Sequence, residues 1–351
     1  MGGRGEGIEG IGASAAGGIV GRPAFGLWDS IPARARHPLE IVQATWETPI
    51  HSLKGEGSGE CDLMEREVTR MIGVFDSGFG GLTVHRALIE ALPQHDFVYF
   101  GDNRHAPYGL RPPIEVLNLT CAALERLFGE GCTLVVVACN TASVVALRWI
   151  QQQWLPVRRR EDGVARNVIG IAVPTIEAAT GFGWEEGGIV VEEPRPSSVI
   201  AVFATRRTVE SGVYPLEIRK RCPEIAVVQQ ACPDLAGSIE RGAPRSEHRQ
   251  LVERYVREMM TDAGKAPETV ILACTHYPLV ADLFAAALPP HIRMIHQPEA
   301  VARALKGYIA RHPEYEASNA GRQRFLSTGI SAEAMPLVER FWGGKLPFVE
   351  V

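Results

Sequence analysis

The chain has 351 residues, of which 46% are hydrophobic and 22% charged, and its formal net charge is −5. This composition is typical of a soluble globular protein long enough for two domains. The three consecutive arginines at 158–160 are followed at once by two acidic residues, so we expect a solvated loop and no nucleic-acid partner. No apolar run approaches the roughly 18–20 residues that cross a bilayer, so no membrane partner is expected.

The cysteine content indicates a reducing environment. Seven cysteines, an odd number without CxxC pairs, do not resemble a disulfide framework. The mildly apolar stretch 11–21 is rich in Gly and Ala and follows Glu6 and Glu9, which makes it a poor signal peptide. We therefore expect a cytoplasmic protein.

Residues 1–70 differ from the rest of the chain. Nine glycines fall in the first 21 positions, and no hydrophobic periodicity is sustained. We expect a disordered or loosely attached N-terminal extension. Met71 opens the first clear β-type run and is a plausible natural start.

From Met71 onward, short β-rich runs alternate with amphipathic helical stretches, a pattern typical of parallel sheets covered on both faces. Strands are predicted at 71–75, 96–100, 133–138, 168–173, 198–204, 225–230, 269–273 and 292–296. Helices are predicted at 83–92, 114–129, 141–154, 208–221, 246–262, 278–287, 298–311 and 332–342. One barrel or two smaller sheets would fit eight strands, and we favour two sheets. The stretches 156–167 and 181–197 are charged, contain proline and are predicted surface loops.

Two cysteines carry the strongest functional signal. Cys139 and Cys274 each end an apolar β-type run and are followed by amide or hydroxyl side chains at the start of a predicted helix. Such positions lie at the carboxyl edge of a parallel sheet, where open α/β folds build their sites. A helix N-terminus also favours the thiolate by lowering the cysteine pKa. We expect the two thiols to face one ligand.

A glycine-rich turn and a second loop flank this pair. The turn 76–81 follows the first strand and is suited to an anion, although it lacks the G-x-G-x-x-G spacing and the Walker Lys of nucleotide sites; a plain βα turn is the alternative. The loop 101–109 ends near Tyr108 and fits either a ligand lid or a structural turn.

Other polar residues have weaker signals. His276 follows Cys274 by two positions, and since zinc needs three or four ligands we expect a proton shuttle or an electrostatic partner and no metal site. Thr208 is a predicted helix cap that leaves Thr205 free for a ligand. Glu240 follows the Cys232-Pro233 step and has no assignment from position alone.

Six motifs in register resemble those of glutamate racemases over about residues 71–349. They are Asp76-Ser77-Gly78-x-Gly80-Gly81, Pro107-Tyr108-Gly109, Cys139-Asn140-Thr141-Ala142-Ser143, Thr205-x-x-Thr208-x-x-Ser211-x-x-Tyr214, Cys232-Pro233 with Glu240, and Cys274-Thr275-His276-Tyr277-Pro278.

The resemblance implies two similar parallel-sheet α/β domains with the active site in the cleft between them. It maps the first domain to 71–172 plus 296–351, carrying Cys139, and the second to 173–295, carrying Cys274. It implies cofactor-independent interconversion of L- and D-glutamate that supplies D-glutamate for peptidoglycan, in an enzyme that is commonly a homodimer.

The resemblance also implies residue roles. Cys139 would remove the α-proton of D-glutamate and Cys274 that of L-glutamate, with Asp76 assisting the first thiol and Glu240 and His276 near the second. The substrate-binding residues would be Ser77, Tyr108, Gly109, Asn140, Thr141, Thr205, Thr208 and Thr275. None of these is cationic.

Some features depart from the family pattern. The 156–167 and 181–197 stretches look like insertions, Val173-Pro174-Thr175 replaces an acidic-proline step at the domain crossover, and Arg206 and Arg207 make the threonine motif unusually basic. Two alternatives stay open: a racemase of aspartate or another acidic amino acid, and a catalytically silent amino-acid-binding protein.

Overall fold

The computed structural model describes residues 70–183, 198–316, 320–330 and 334–351. Apart from Arg70, the predicted extension 1–70 lies outside these residues, as does most of the predicted loop 181–197.

The strands alternate with helices along the described chain. They are β1 (Met71–Asp76), β2 (Phe97–Gly101), β3 (Cys132–Val137), β4 (Asn167–Gly170), β5 (Val199–Ala204), β6 (Ala226–Ala231), β7 (Thr269–Ala273), β8 (Arg293–Ile295), β9 (Gln323–Ser327) and β10 (Phe348–Glu350). The α-helices are α1 (Leu82–Ala91), α2 (Pro113–Gly129), α3 (Asn140–Val145), α4 (Leu147–Trp149), α5 (Leu155–Asp162), α6 (Ala172–Thr180), α7 (Arg206–Glu210), α8 (Val213–Arg221), α9 (Leu235–Glu240), α10 (Arg245–Ala263), α11 (Ala281–Ala287), α12 (Gln297–Arg311) and α13 (Met335–Trp342). A π-helical turn, Ile150–Trp154, joins α4 to α5.

Within the described residues, the strands form two separate parallel sheets. The first has six strands in the order β10-β9-β2-β1-β3-β4, and the second has four in the order β6-β5-β7-β8. Every strand pair is parallel. The prediction of two parallel-sheet α/β domains is confirmed. The strands of the first sheet come from both ends of the described chain, which is compatible with the boundaries predicted above; the boundaries themselves remain a prediction.

The sheets are buried because alternate side chains of each strand enter different apolar layers. On β1, Ile72 and Val74 join one core cluster, whereas Phe75 joins the other. This follows from the two-residue period of a strand, and it explains why the central strands are apolar throughout. Helices α1 and α12 pack against each other beside the first sheet.

The eight predicted strands are present, with ends that differ by no more than three residues. Strands β9 and β10 were not predicted, because Gln323–Ser327 is short and partly polar and gains its extended form by pairing with β2. Helix α6 was also missed, and the predicted strand 168–173 overran into it.

The loop predicted at 156–167 is wrong over its first half, which is α5. Pro156 lies in the first turn of that helix, where a missing N–H costs nothing. Leu155 is buried, and Arg158 forms ion pairs with Glu125 and Glu161. Tertiary packing therefore holds a charged segment in helical form.

No helix in the described ranges is both long enough and apolar enough to span a membrane.

Candidate active site

The predicted site residues lie where strands of both sheets end. Asp76 is the last residue of β1, Cys139 follows β3 by two residues, Thr205 directly follows β5, and Cys274 directly follows β7. Parallel strands present their carboxyl ends at one edge, so each sheet delivers its polar groups to a single face. In both sheets a cysteine therefore follows the end of a strand, as predicted from the sequence.

Hydrogen bonds join these two edges directly. Thr141 Oγ1 lies 3.0 Å from Thr205 Oγ1, and Thr208 Oγ1 lies 3.1 Å from that same Thr205 oxygen. On the other side of the site, Thr275 donates from Oγ1 to Asp76 Oδ2 over 3.2 Å. Residues from the first and second sheets thus form one polar cluster around the thiols.

Glycines permit this close approach. A Cβ at Gly81 would lie 2.5 Å from Asp76 Cβ, one at Gly80 would lie 2.6 Å from Thr275 Oγ1, and one at Gly109 would lie 2.7 Å from Thr205 Cβ. Such contacts are too short for any side chain. The glycine-rich turn is therefore required for packing the two sheet edges together, whether or not it also meets an anion.

The Cys139 thiol is buried among uncharged donors and one carboxyl group. It caps α3, where its sulfur accepts from Ala142 N at 3.5 Å, and it lies 3.3 Å from Ser77 Oγ. Burial, followed by the nearby Asp76 carboxyl, raises the pKa of Cys139 to about 12, although the Ser77 and Ala142 contacts act in the opposite direction. The sequence-based expectation of a lowered pKa for Cys139 is wrong, because burial outweighs the helix N-terminus.

The Cys274 thiol has a different partner, a histidine. Cys274 Sγ lies 3.8 Å from His276 Nδ1, and His276 Nε2 lies 2.9 Å from Glu240 Oε1. Burial lowers the pKa of His276, but Glu240 and Cys274 more than compensate and raise it well above its ordinary value. The imidazole therefore carries a proton beside the sulfur. A short 3₁₀ turn, Tyr277–Val280, follows this segment, so Cys274 is not a helix cap.

Asp76 is completely buried at the junction of the sheets. Its Oδ1 accepts from Gly78 N at 3.0 Å, and its Oδ2 accepts from Thr275. Burial raises the pKa of the Asp76 carboxyl, and the His276 charge offsets this only in part.

Tyr108 and Thr208 make contacts that the sequence did not reveal. The Tyr108 hydroxyl points inward and donates to Asp102 Oδ2 over 2.6 Å, and the same buried carboxylate accepts from Thr328. The loop is therefore anchored at its tip, a role for Asp102 that the sequence did not reveal. Thr205, not Thr208, caps α7, since Thr205 Oγ1 accepts from Thr208 N at 3.4 Å.

Asn140 follows Cys139 and lies in a buried polar network. Its amide pairs with that of Gln297, and its Oδ1 also accepts from the Tyr214 hydroxyl at 2.7 Å. Sequence reasoning missed Gln297, which is 157 positions away. Tyr214 lies at the end of the threonine motif and was assigned no role from the sequence, and the structure shows it bound to Asn140.

A cavity of about 470 Å³ opens at the rim of the polar cluster. It is lined by Pro107, Gly109, Leu110, Thr205, Arg206, Pro233, Asp234, Ala236, Gly237, Glu240 and Arg241. Neither Cys139 nor Cys274 is among the lining residues, and each thiol-bearing residue has 5% of its surface exposed. Arg207 crosses from the second sheet to donate to Arg111 O at 2.9 Å, which gives one of the two unusual arginines a structural role.

Metal ligation has no candidate in the part of the chain that the structure describes, where no three His, Cys, Asp or Glu side chains are grouped closely enough to hold an ion. The His276 imidazole is instead occupied by Glu240 and Cys274.

Comparison with known proteins places the chain in a family. The sequence profile of the Asp/Glu/Hydantoin racemase family matches residues 80–305. Glutamate racemases of Phenylobacterium zucineum and of a Caulobacter species are 53% and 51% identical, each over 79% of this chain and 98% of the relative. The crystal structure of glutamate racemase from Thermus thermophilus, in complex with β-chloro-D-alanine, is 31% identical, with a TM-score of 0.62 over 81% of this chain and 97% of that chain. The chain belongs to the Asp/Glu/hydantoin racemase family and, within it, to the glutamate racemases.

Proposed function

We propose that the chain interconverts L- and D-glutamate without a cofactor, with Cys139 and Cys274 as the two acid/base groups. The observation that carries the residue assignment is the convergence of one thiol from each sheet on a single polar cluster, joined by the Asp76–Thr275 hydrogen bond. Inverting an α-carbon needs a base on one face and an acid on the other, because a single base tends to return the proton to the side from which it came.

The unequal surroundings of the thiols support a starting protonation state. With its raised pKa, Cys139 holds its proton and can act as the acid. A thiolate formed at Cys274 when it acts as the base would lie next to the positive charge of His276. This arrangement accepts L-glutamate, in line with the family analogy that assigns Cys274 to that enantiomer.

The proton count balances in each turnover. Cys274 thiolate takes the α-proton of L-glutamate, and the electron pair left on carbon takes the proton of the Cys139 S–H bond on the opposite face. D-glutamate leaves with Cys274 as thiol and Cys139 as thiolate. The Cys274 thiol then loses one proton to solvent and the Cys139 thiolate gains one, with the Asp76 carboxyl near Cys139 placed to relay it, and the starting state is restored. D-glutamate that enters the second state reacts in the reverse direction.

Substrate binding would rely on uncharged groups, by the same family matching. Hydroxyls of Ser77, Thr141, Thr205 and Thr275 surround the thiols, and preorganised donors of this kind stabilise charge that develops on a reacting carboxylate. The same matching includes Tyr108, Gly109, Asn140 and Thr208, of which Tyr108 is also held by Asp102 and Thr208 by Thr205. The D-amino-acid derivative bound to the Thermus relative supports an amino-acid ligand.

Three further parts of the proposal rest on family membership: supply of D-glutamate for peptidoglycan, a homodimeric assembly and a cytoplasmic location. Size-exclusion chromatography with light scattering tests the assembly, and a dimer mass is expected.

The activity is tested by circular dichroism of L-glutamate incubated with the purified chain, with no cofactor added and a chelator present. We expect the signal to decay to zero. A persistent signal from folded protein would contradict the proposal, and decay with L-aspartate alone would support the aspartate alternative. Persistence with both amino acids, together with binding, would support the silent binder.

A further inference from the structure

A buried network of four polar side chains lies behind Cys139. Gln297, the first residue of α12, contacts Asn140 of α3, Thr175 of α6 and Tyr214 of α8. All four are at least 96% buried. The network therefore joins helices that flank both sheets at a point next to one reacting thiol.

The direction of every hydrogen bond in this network follows from one backbone carbonyl. Thr175 Oγ1 lies 2.7 Å from Ile171 O, which can only accept, so the Thr175 hydroxyl donates its single hydrogen there. Gln297 Nε2 lies 2.9 Å from the same hydroxyl oxygen and must be the donor. The amide of Gln297 is thereby fixed with its nitrogen toward α6.

The amide of Asn140 is fixed in turn. Gln297 Oε1 faces Asn140 Nδ2 at 2.9 Å, and Gln297 Nε2 faces Asn140 Oδ1 at 3.1 Å. Tyr214 donates a second hydrogen bond to Asn140 Oδ1 over 2.7 Å. Both lone pairs of that oxygen are used. The second N–H of Nδ2 is therefore the group of the Asn140 side chain that can still form a hydrogen bond, and it can only donate.

We propose that Gln297 is a positioning residue for the racemisation, which holds Asn140 as a hydrogen-bond donor so that its amide binds a substrate carboxylate and not the ammonium group. This inference rests on the proposed function. The same hydrogen bond to a carboxylate is present before and during reaction, so its loss weakens substrate binding more than turnover.

The main test is Gln297→Met, which keeps the length of the side chain but removes its amide. We expect KM for glutamate to rise about tenfold or more, the factor that corresponds to a weakened hydrogen bond to a charged group, with kcat within about threefold of the wild type. Thr175→Val removes the hydroxyl that orients Gln297, and a several-fold rise in KM is expected. If Gln297→Met does not fold, the KM of Thr175→Val decides whether the proposal holds: a several-fold rise supports it and an unchanged KM overturns it.

A matched control lies on the same helix. Tyr308 of α12 accepts a hydrogen bond from Asn167 at 2.6 Å and is not one of the four residues of the network, so Tyr308→Phe removes a link of α12 and leaves the network in place. We expect a lower melting temperature and an unchanged KM. An equal rise in KM in this control, or a KM within about twofold of wild type for folded Gln297→Met, would overturn the proposal.

Asn140→Asp identifies the substrate group. A donor to carboxylate predicts a rise in KM of about a hundredfold, because an anion then faces an anion. An unchanged or lower KM would mean that residue 140 accepts from the ammonium, and the proposal would be wrong. Absence of racemisation in the wild type would instead refute the proposed function.

Discussion

The surroundings of Cys139 and Cys274 differ although the sequence presents them in matched contexts. Cys139 caps a helix and contacts a hydroxyl, with a completely buried carboxyl nearby. Cys274 contacts an imidazole that is paired with a carboxylate. One thiol is therefore held protonated by burial, whereas the other lies next to a positive charge.

This difference teaches that a near-symmetric reaction does not need symmetric acid/base groups. The reaction needs one thiol and one thiolate at a time, and burial of Cys139 favours the proton on that sulfur at the start of the reaction from L-glutamate. The predictions below test this inequality, from the largest expected effect to the smallest.

The thiols themselves should be indispensable. Cys139→Ser and Cys274→Ser each keep the side-chain size but replace the thiol by a far weaker acid, so we expect racemisation in both directions to fall by about 10³-fold or more. Rates from L- and D-glutamate, with a circular dichroism spectrum as a folding control, check this. Substantial activity in either variant would refute the two-thiol mechanism.

The Asp76 carboxyl should come next. Asp76→Asn keeps the shape and one acceptor for Thr275 but cannot exchange a proton, so we expect kcat to fall about 10²-fold or more. Thr275→Val removes the hydrogen bond and keeps the carboxyl, so it is the matched control and should lower kcat by a smaller factor. A larger loss in Thr275→Val would assign Asp76 a purely structural role.

The His276–Glu240 pair should shape the pH profile. Glu240 raises the pKa of His276, so Glu240→Gln should lower that pKa and remove the imidazolium at a lower pH. We expect the alkaline limb of kcat/KM to move to lower pH, most clearly with L-glutamate as substrate. An unmoved profile would indicate that the imidazolium takes no part in the chemistry.

The same pair should produce a small pH dependence of stability. Because the folded pKa of His276 is raised, its contribution is complete below about pH 6.5 and is lost as pH rises through the folded value, by at most about 1.4 kcal/mol per pH unit. Urea unfolding of the ligand-free wild type and Glu240→Gln at several pH values measures it. The difference in free energy of unfolding between the wild type and Glu240→Gln should shrink with rising pH. A difference that grows with pH would contradict the assignment of a positive charge to His276.

The sequence was sufficient for eight of the ten described strands and for the position of both cysteines at strand ends. The apolar runs before Cys139 and Cys274 predicted buried parallel strands, because short, continuous runs rich in Val, Ile and Leu are typical of strands covered on both faces. The position of each cysteine just after a strand then predicted a shared edge. These features depend on neighbours along the chain, so local pattern was enough.

The remaining features depend on distant partners. Gln297 contacts Asn140 across 157 positions, and Asp102 accepts from the hydroxyl of Tyr108, whose loop fitted either a ligand lid or a structural turn. Burial of Cys139 reversed the pKa shift expected from its helix position. No periodicity encodes these contacts, since they arise only when the two sheet edges meet.

The most direct test of the two-thiol account is the fate of the α-hydrogen in deuterated buffer. L-glutamate and D-glutamate are each incubated with the wild type, and deuterium at the α-carbon is measured by NMR in both enantiomers at low conversion. Two opposed thiols predict a product that is fully deuterated while the recovered substrate still carries protium. A product that retains the hydrogen of its own substrate would mean that one group serves both faces, and the account would be contradicted.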